Sequence, residues 1–231
     1  MQFNLPKNDT WEALTEDVIT CRRCPRLVAW REEVARIKRR AYRDWTYWGK
    51  PVPGFGDPEA QIMVVGLAPG AHGSNRTGRM FTGDGSGETL YGTLHRTGFA
   101  NQPTATHRGD GLMLNDIFIT AVARCAPPSN RPTSDEIANC RSYLIREMAL
   151  LHRLQLVVAL GQIALNGYLK VLKDQNYDMP SIPFQHGIEI ELPDSLPSLL
   201  ISYHPSRQNT QTGRLTLAML DSIFERARQR L

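Results

Sequence analysis

Four short apolar runs constrain this chain more than any other feature. Gln61–Val65, Ile117–Ala123, Leu156–Leu160 and Leu199–Tyr203 are continuous and rich in valine, isoleucine and leucine. Strands covered on both faces read this way. Helices are predicted between and around them. Ser86–Thr97 follows a glycine-rich loop, and Ser134–Leu151 starts behind Pro132-Thr133 with acidic residues in its first turn. Gln162–Leu172 follows Gly161, and Leu215–Arg230 comes last. Strands alternating with helices predict an α/β protein with a mostly parallel sheet, one domain over residues 1–231. Trp45–Pro58 is rich in glycine, proline and aromatics and reads as an ordered loop rather than a linker.

Composition narrows the classes. With 41% apolar and 22% charged residues over 231 positions, the chain is globular and buries a real core. It holds no apolar run of about 18 residues, so no membrane span is expected. Met1–Trp11 lacks a basic segment followed by an apolar stretch, so no secretory signal is read there and a cytoplasmic location is expected. The net charge of +4 is unevenly spread: nine basic residues against Glu32 and Glu33 lie between Arg22 and Arg43. A basic face on a near-neutral body suits a polyanion such as nucleic acid. The same segment also reads as a solvated amphipathic helix with Leu27, Val28, Val34 and Ile37 as its buried stripe.

Four cysteines, Cys21, Cys24, Cys125 and Cys140, remain to be placed. A reducing cytosol does not maintain structural disulfides. The two-residue gap of Cys21-Arg-Arg-Cys24 lets both thiolates face one centre. Four thiolates satisfy a tetrahedral zinc or a cubane [4Fe–4S] cluster, and free buried thiols are the plain alternative.

Ligands in parallel α/β sheets bind beyond the carboxyl ends of the strands. The loops expected there are polar and rich in glycine and proline: Gly66-Leu-Ala-Pro-Gly70 running on to Asp84, then Arg124-Cys-Ala-Pro-Pro-Ser-Asn130, Gly161-Gln162, and His204-Pro-Ser-Arg-Gln-Asn-Thr210. The glycines let a backbone approach a ligand, without the residues of a Walker loop or a dinucleotide fingerprint. Phe81, among polar neighbours, offers a flat face for a planar ring, or else a hydrophobic plug under its loop. A His204 N–H at a strand's carboxyl end suits negative charge developing on a leaving group. Ser206, Gln208, Asn209 and Thr210 supply phosphate-contacting groups or an elaborate helix cap. His186 reads as structural, near an edge strand.

Together these residues resemble the family 5 (type b) uracil-DNA glycosylases, an iron–sulfur branch of the uracil-DNA glycosylase superfamily. The carriers are Cys21-x-x-Cys24-Pro25, Gly66-Leu-Ala-Pro-Gly70, Asn75-Arg-Thr-Gly-Arg79, Phe81-Thr-Gly-Asp84, Arg124-Cys-Ala-Pro-Pro128 with Asn130-Arg-Pro132, Cys140, and His204-Pro-Ser-Arg-Gln-Asn209. The resemblance covers roughly nine-tenths of the chain. It implies a three-layer αβα sandwich around a four-stranded parallel sheet. It implies a [4Fe–4S] cluster on Cys21, Cys24, Cys125 and Cys140, within an N-terminal cluster-binding, basic segment of about residues 15–58. The implied reaction is hydrolysis of the N-glycosidic bond of uracil in DNA, and of other deaminated or damaged bases such as hypoxanthine, xanthine or ethenocytosine, leaving an abasic site. The implied enzyme is a prokaryotic, nucleoid-associated monomer without membrane partners.

By the same resemblance His204 stabilises the departing base, and an asparagine holds the attacking water, Asn130 first and Asn75 second. Gly66, Ala68, Gly70 and Phe81 bind the base. His72, Ser206, Arg207, Gln208, Asn209 and Thr210 bind DNA. Sister families carry an acidic or polar water-positioning residue in the first motif, where this chain has Leu67-Ala68; alanine is frequent in the family where Gly70 stands. Two rival classes are a non-catalytic iron–sulfur or zinc nucleic-acid-binding protein, which leaves Phe81 and His204 unexplained, and a zinc hydrolase, for which four cysteine ligands leave no open metal position.

Overall fold

The computed structural model describes residues 9–193 and 196–231; most of the stretch read for a secretory signal lies outside them. The four apolar runs form β2 (Ile62–Gly66), β3 (Ile117–Ala121), β4 (Leu156–Leu160) and β6 (Ser198–Ser202), all buried along their whole length. They pair in parallel in the order β3-β2-β4-β6, with Val64 beside Ile119 on one side and Val158 on the other. Two two-residue strands add antiparallel edges to a six-stranded sheet: β1 (Phe55–Gly56), not foreseen in the sequence, and β5 (Glu189–Ile190), the edge strand expected near His186. β1 falls inside the expected Trp45–Pro58 loop.

Side chains alternate along each strand, so the sheet has two apolar faces. Ile62, Val64, Ile119 and Val158 pack under α4 (Gly85–Arg96) and α8 (Leu217–Arg228) through Leu90, Leu94, Ile223 and Phe224. Met63, Val65, Val157 and Ile201 pack under α5 (Ser134–Leu150) and α6 (Gln162–Asp174) through Leu144, Met148, Leu165 and Tyr168. The result is the αβα sandwich. A full capping box starts α5, with Thr133 and Glu136 each satisfying the other's backbone N–H. A hydrogen-bonded seam joins α4 to α8: Thr93 Oγ1 donates to Asp221 Oδ1 at 2.8 Å, and the Arg96 guanidinium grips both Asp221 oxygens at 2.6 and 3.0 Å.

The chain leaves β2 for one face of the sheet and β4 for the other, so their carboxyl ends flank the topological switch point, where open α/β sheets bind ligands. α1 (Trp11–Ile19) packs outside α5. The basic segment forms the helix α2 (Pro25–Ile37), with Pro25 in its first turn. Leu27, Val28 and Val34 are buried as expected. Ile37 is not: it is exposed at the last helical position, where Lys38 leaves the helix with φ 59°.

Candidate functional site

Two glycines at the switch point make room for the site. Gly66 ends β2, and a Cβ there would come 2.9 Å from the Phe81 ring. Gly161 follows β4 with φ +96°, and its Cβ would stand 3.3 Å from that of His204. Phe81 and His204 therefore lie together over the strand ends, rings stacked at 5.8 Å and 29°. Burial pushes His204 down to about 4, so its imidazole is neutral near pH 7. No described residue hydrogen-bonds to that ring, which leaves its nitrogens for a ligand.

Phe81 is buried and holds φ 51°, a conformation costing a non-glycine residue about 1–3 kcal/mol. A web of bonds enforces it. Tyr91 Oη donates to the Met80 carbonyl at 2.7 Å, Thr77 Oγ1 to the Thr82 carbonyl at 3.2 Å, and Arg76 Nη2 to the Gly83 carbonyl at 2.9 Å. Arg79 donates to Thr82 Oγ1 at 2.9 Å and forks onto both oxygens of Asp110 at 2.8 and 2.7 Å. Burial opposes ionisation of Asp110, yet Arg79 and three backbone N–H groups hold its carboxyl well below the usual carboxylate range.

Asp84 is the residue that reading the sequence for water-positioning groups missed. Its Oδ1 caps α4, accepting from Gly87 N at 3.0 Å. Oδ2 faces the turn after β2, where a Cβ on Gly73 would come within 2.0 Å of it and one on Gly70 within 2.8 Å. Burial raises its pKa, the backbone N–H groups of Gly87 and Ser86 pull it back in part, and the net shift is upward. Arg207, lying against Gly85, adds a smaller pull downward. An aspartate three residues after Phe81 at a helix start reads as an N-cap, which it also is; only the fold shows its second oxygen turned to the loop. A carboxylate from a later motif thus faces the turn after β2 at Gly70 and Gly73.

The remaining sites divide. Ala68, Gly70 and His72 lie in the half-buried turn, with His72 Nδ1 3.0 Å from Tyr47 Oη. Burial, and then Arg39 and Arg76, hold the His72 pKa down. Asn130 is exposed in the loop after β3, at φ 55°. Asn75 is fully buried and bonded to backbone carbonyls. Beyond His204, Ser206 caps the short helix α7 (Arg207–Gln211), its Oγ accepting from Asn209 N at 3.3 Å. Asn209 Nδ2 donates to the His204 carbonyl at 2.8 Å, and Thr210 Oγ1 donates to the Ser206 carbonyl at 3.2 Å. These three groups shape the loop; Arg207 and Gln208 are exposed.

The basic segment also divides. Arg22 pairs with Glu32, Arg36 with Glu33, and Arg26 with Glu136. Arg39, Arg40 and Arg43 are exposed with no carboxylate partner among the described residues. They flank Tyr42 and Trp45, whose rings stack on Arg76 at 4.0 Å each and so join the segment to the glycine turn.

All four cysteines line one small cavity, about 10 Å³, together with Arg31, Arg124 and Tyr143. Its donors suit buried thiolates: Arg31 Nη1 is 2.9 Å from Cys125 Sγ, Asn139 Nδ2 3.4 Å from Cys24 Sγ, and Arg23 Nε 3.5 Å from Cys21 Sγ. Burial pushes the Cys125 thiol up to about 12 against the pull of Arg31. Arg31 Nε and two guanidinium nitrogens of Arg124 are buried without a protein partner. Among the described residues no three His, Cys, Asp or Glu side chains gather closely enough for a lone metal ion. Four cysteines around one cavity are the donor set of a [4Fe–4S] cluster.

The uracil DNA glycosylase superfamily model matches residues 53–228. A type-5 uracil-DNA glycosylase of Thermus thermophilus is 50% identical over 218 residues, covering 94% of this chain and 97% of that protein. One of Mycobacterium leprae is 49% identical over 217 residues, covering 94% and 93%. A type-4 uracil-DNA glycosylase of Sulfurisphaera tokodaii is 32% identical over 155 residues, covering 67% and 56%. By motif, by fold and by these relatives, the chain belongs to the uracil-DNA glycosylase superfamily and, within it, to the type-5 branch.

Proposed function

We propose that this protein removes uracil from DNA by hydrolysing its N-glycosidic bond, leaving an abasic site and an uncut strand. The observation that carries this reading is the Phe81–His204 stack: an aromatic face and a free, neutral imidazole at one strand-end crevice. The base must leave the duplex before its sugar carbon can be reached. Phe81 stacks on the extruded ring while the backbone of the Gly66–Gly70 turn reads its polar edge. As the bond breaks, the sugar becomes cationic and the base anionic. An N–H of His204 meets the base's carbonyl oxygen and stabilises that anion. Asp84 Oδ2, across the glycine turn, accepts a hydrogen bond from the attacking water, and Asn130 orients it from the β3 loop. Arg39, Arg40 and Arg43, with Arg207 and Gln208, hold phosphates.

The four cysteines carry a [4Fe–4S] cluster in this reading, the buried guanidinium of Arg31 offsetting its negative charge. The cluster ties α2 to the β3 loop and to α5 and supplies no step of the hydrolysis. Hypoxanthine, xanthine and ethenocytosine are further substrates, and the protein acts as a cytoplasmic monomer; no helix among the described residues is long and apolar enough to cross a membrane.

The test is a labelled duplex with one U opposite G, incubated with protein and then treated with alkali. A break at the uracil only after alkali is the expected result, and parallel duplexes rank the other bases. No break at any damaged base, from protein with its full iron content, would leave a DNA-binding relative without catalysis.

A further inference from the structure

Asn75 is buried with 0% exposure, and its bonds lead in two directions. Its peptide N–H donates to the Gly70 carbonyl at 3.0 Å, and its side-chain Nδ2 donates to the Ala71 carbonyl at 3.4 Å. Both carbonyls belong to the turn that faces Asp84. The same Nδ2 donates to the main-chain carbonyl of Arg31 at 3.2 Å. Arg31, on α2, is itself buried with 2% exposure. Its guanidinium donates to Cys125 Sγ at 2.9 Å and to the Cys21 carbonyl at 3.1 Å. A continuous series therefore runs from the cysteine cavity through Arg31 and Asn75 to the glycine turn. The Asn75–Arg31 and Arg31–Cys125 links are buried, so breaking either strands a buried partner rather than handing it to water.

From this geometry we infer that Asn75 is a positioning residue which, with Arg31, couples the cysteine centre to the glycine turn, and that this donation by Nδ2, not acceptance from the attacking water by its buried, partnerless Oδ1, is its role. The inference rests on reading the four cysteines as cluster ligands and the turn as part of the base site. Its chemistry separates the two roles sharply. An asparagine that orients water tolerates aspartate, whose oxygens also accept from water. An asparagine that donates to two carbonyls does not, because Asn75→Asp sets a carboxylate oxygen against both. Coupling between two sites is reciprocal. A loosened Asn75 thus weakens the hold on the centre, and an emptied centre loosens the turn.

The experiment uses the full chain, purified without oxygen, as wild type, Asn75→Asp and Asn75→Ala. Iron per chain, single-turnover excision from a G·U duplex and the rate of iron release to a chelator are measured for each. Hydrogen exchange over residues 70–84 is followed in the wild type before and after chelation. Both variants are expected to lose excision rate on the order of 100-fold, as displaced catalytic groups do, and to release iron faster than the wild type. The stripped wild type is expected to exchange faster across the turn. Wild-type excision by Asn75→Asp, or unchanged exchange over residues 70–84 after stripping, overturns the inference. If both variants fail to fold, the exchange measurement on the wild type decides alone. A wild type that carries no iron overturns the cluster and this coupling together, and the iron assay tells that failure from the others.

Discussion

At the scale of single residues, the site works by what burial does to one imidazole. His204 in water would be half protonated near pH 6.5, but under Phe81 it stays neutral to about pH 4. A neutral ring keeps one N–H to donate and avoids leaving a buried cation in the free enzyme. The His204 ring resonances, followed by NMR in the free protein, are expected to titrate near 4 rather than 6.5. The sign for stability follows. Between those values the unfolded chain takes up a proton that the folded chain refuses, so this residue's contribution is complete above about pH 6.5 and is lost as pH falls toward 4. His204→Ala is expected to slow excision by about 2.7–4 kcal/mol in barrier, the usual cost of one such donor. Asn130 cannot take a proton at neutral pH, so Asn130→Ala is expected to cost far less in a parallel single-turnover assay; equal losses would overturn this division.

At the scale of elements, the loop from β2 to α4 is held by buried ions rather than by apolar packing alone. Arg79 and Asp110, with side chains only 4% and 6% exposed, clamp the segment that keeps Phe81 in its unfavourable backbone conformation. Removing one member of a buried pair costs about 3–5 kcal/mol because the other charge is stranded. Arg79→Met is therefore expected to lower unfolding stability in urea by that amount and to weaken uracil excision, whereas Arg96→Met on the half-exposed seam loses much less. The four core strands were legible because strands buried on both faces leave unbroken apolar runs. β1 was not, since two residues carry no period, and β5 was legible only as an edge strand near His186. α1 is a short helix whose only buried residues, Leu14 and Val18, cover another helix, so its signal is thin. Phe81 and His204 were legible as chemistry out of place at strand ends; the second oxygen of Asp84 was hidden behind its role as a cap.

At the scale of the whole molecule, the excess charge of the N-terminal segment is smaller than the sequence suggests. Glu136, the partner of Arg26, is 110 residues away in the chain, and no local reading finds it. Among those exposed without a carboxylate partner in the described residues are Arg39, Arg40 and Arg43, beside the aromatic pair on Arg76. Each phosphate neutralised contributes about 0.9 to the slope of log K against log salt. Changing those three arginines to glutamine is expected to flatten that slope by up to about 2.7 for duplex DNA, while changing Arg22 and Arg36 leaves it nearly as it was. The seam at Asp221 has a consequence of another kind. Because α4 and α8 are tied at this seam, the loops bearing Phe81 and His204 rise from one joined base, and a nucleotide that the duplex releases easily reaches them sooner. Uracil opposite guanine, poorly paired, should be cut faster than uracil opposite adenine, and the gap should narrow to nothing in single strands.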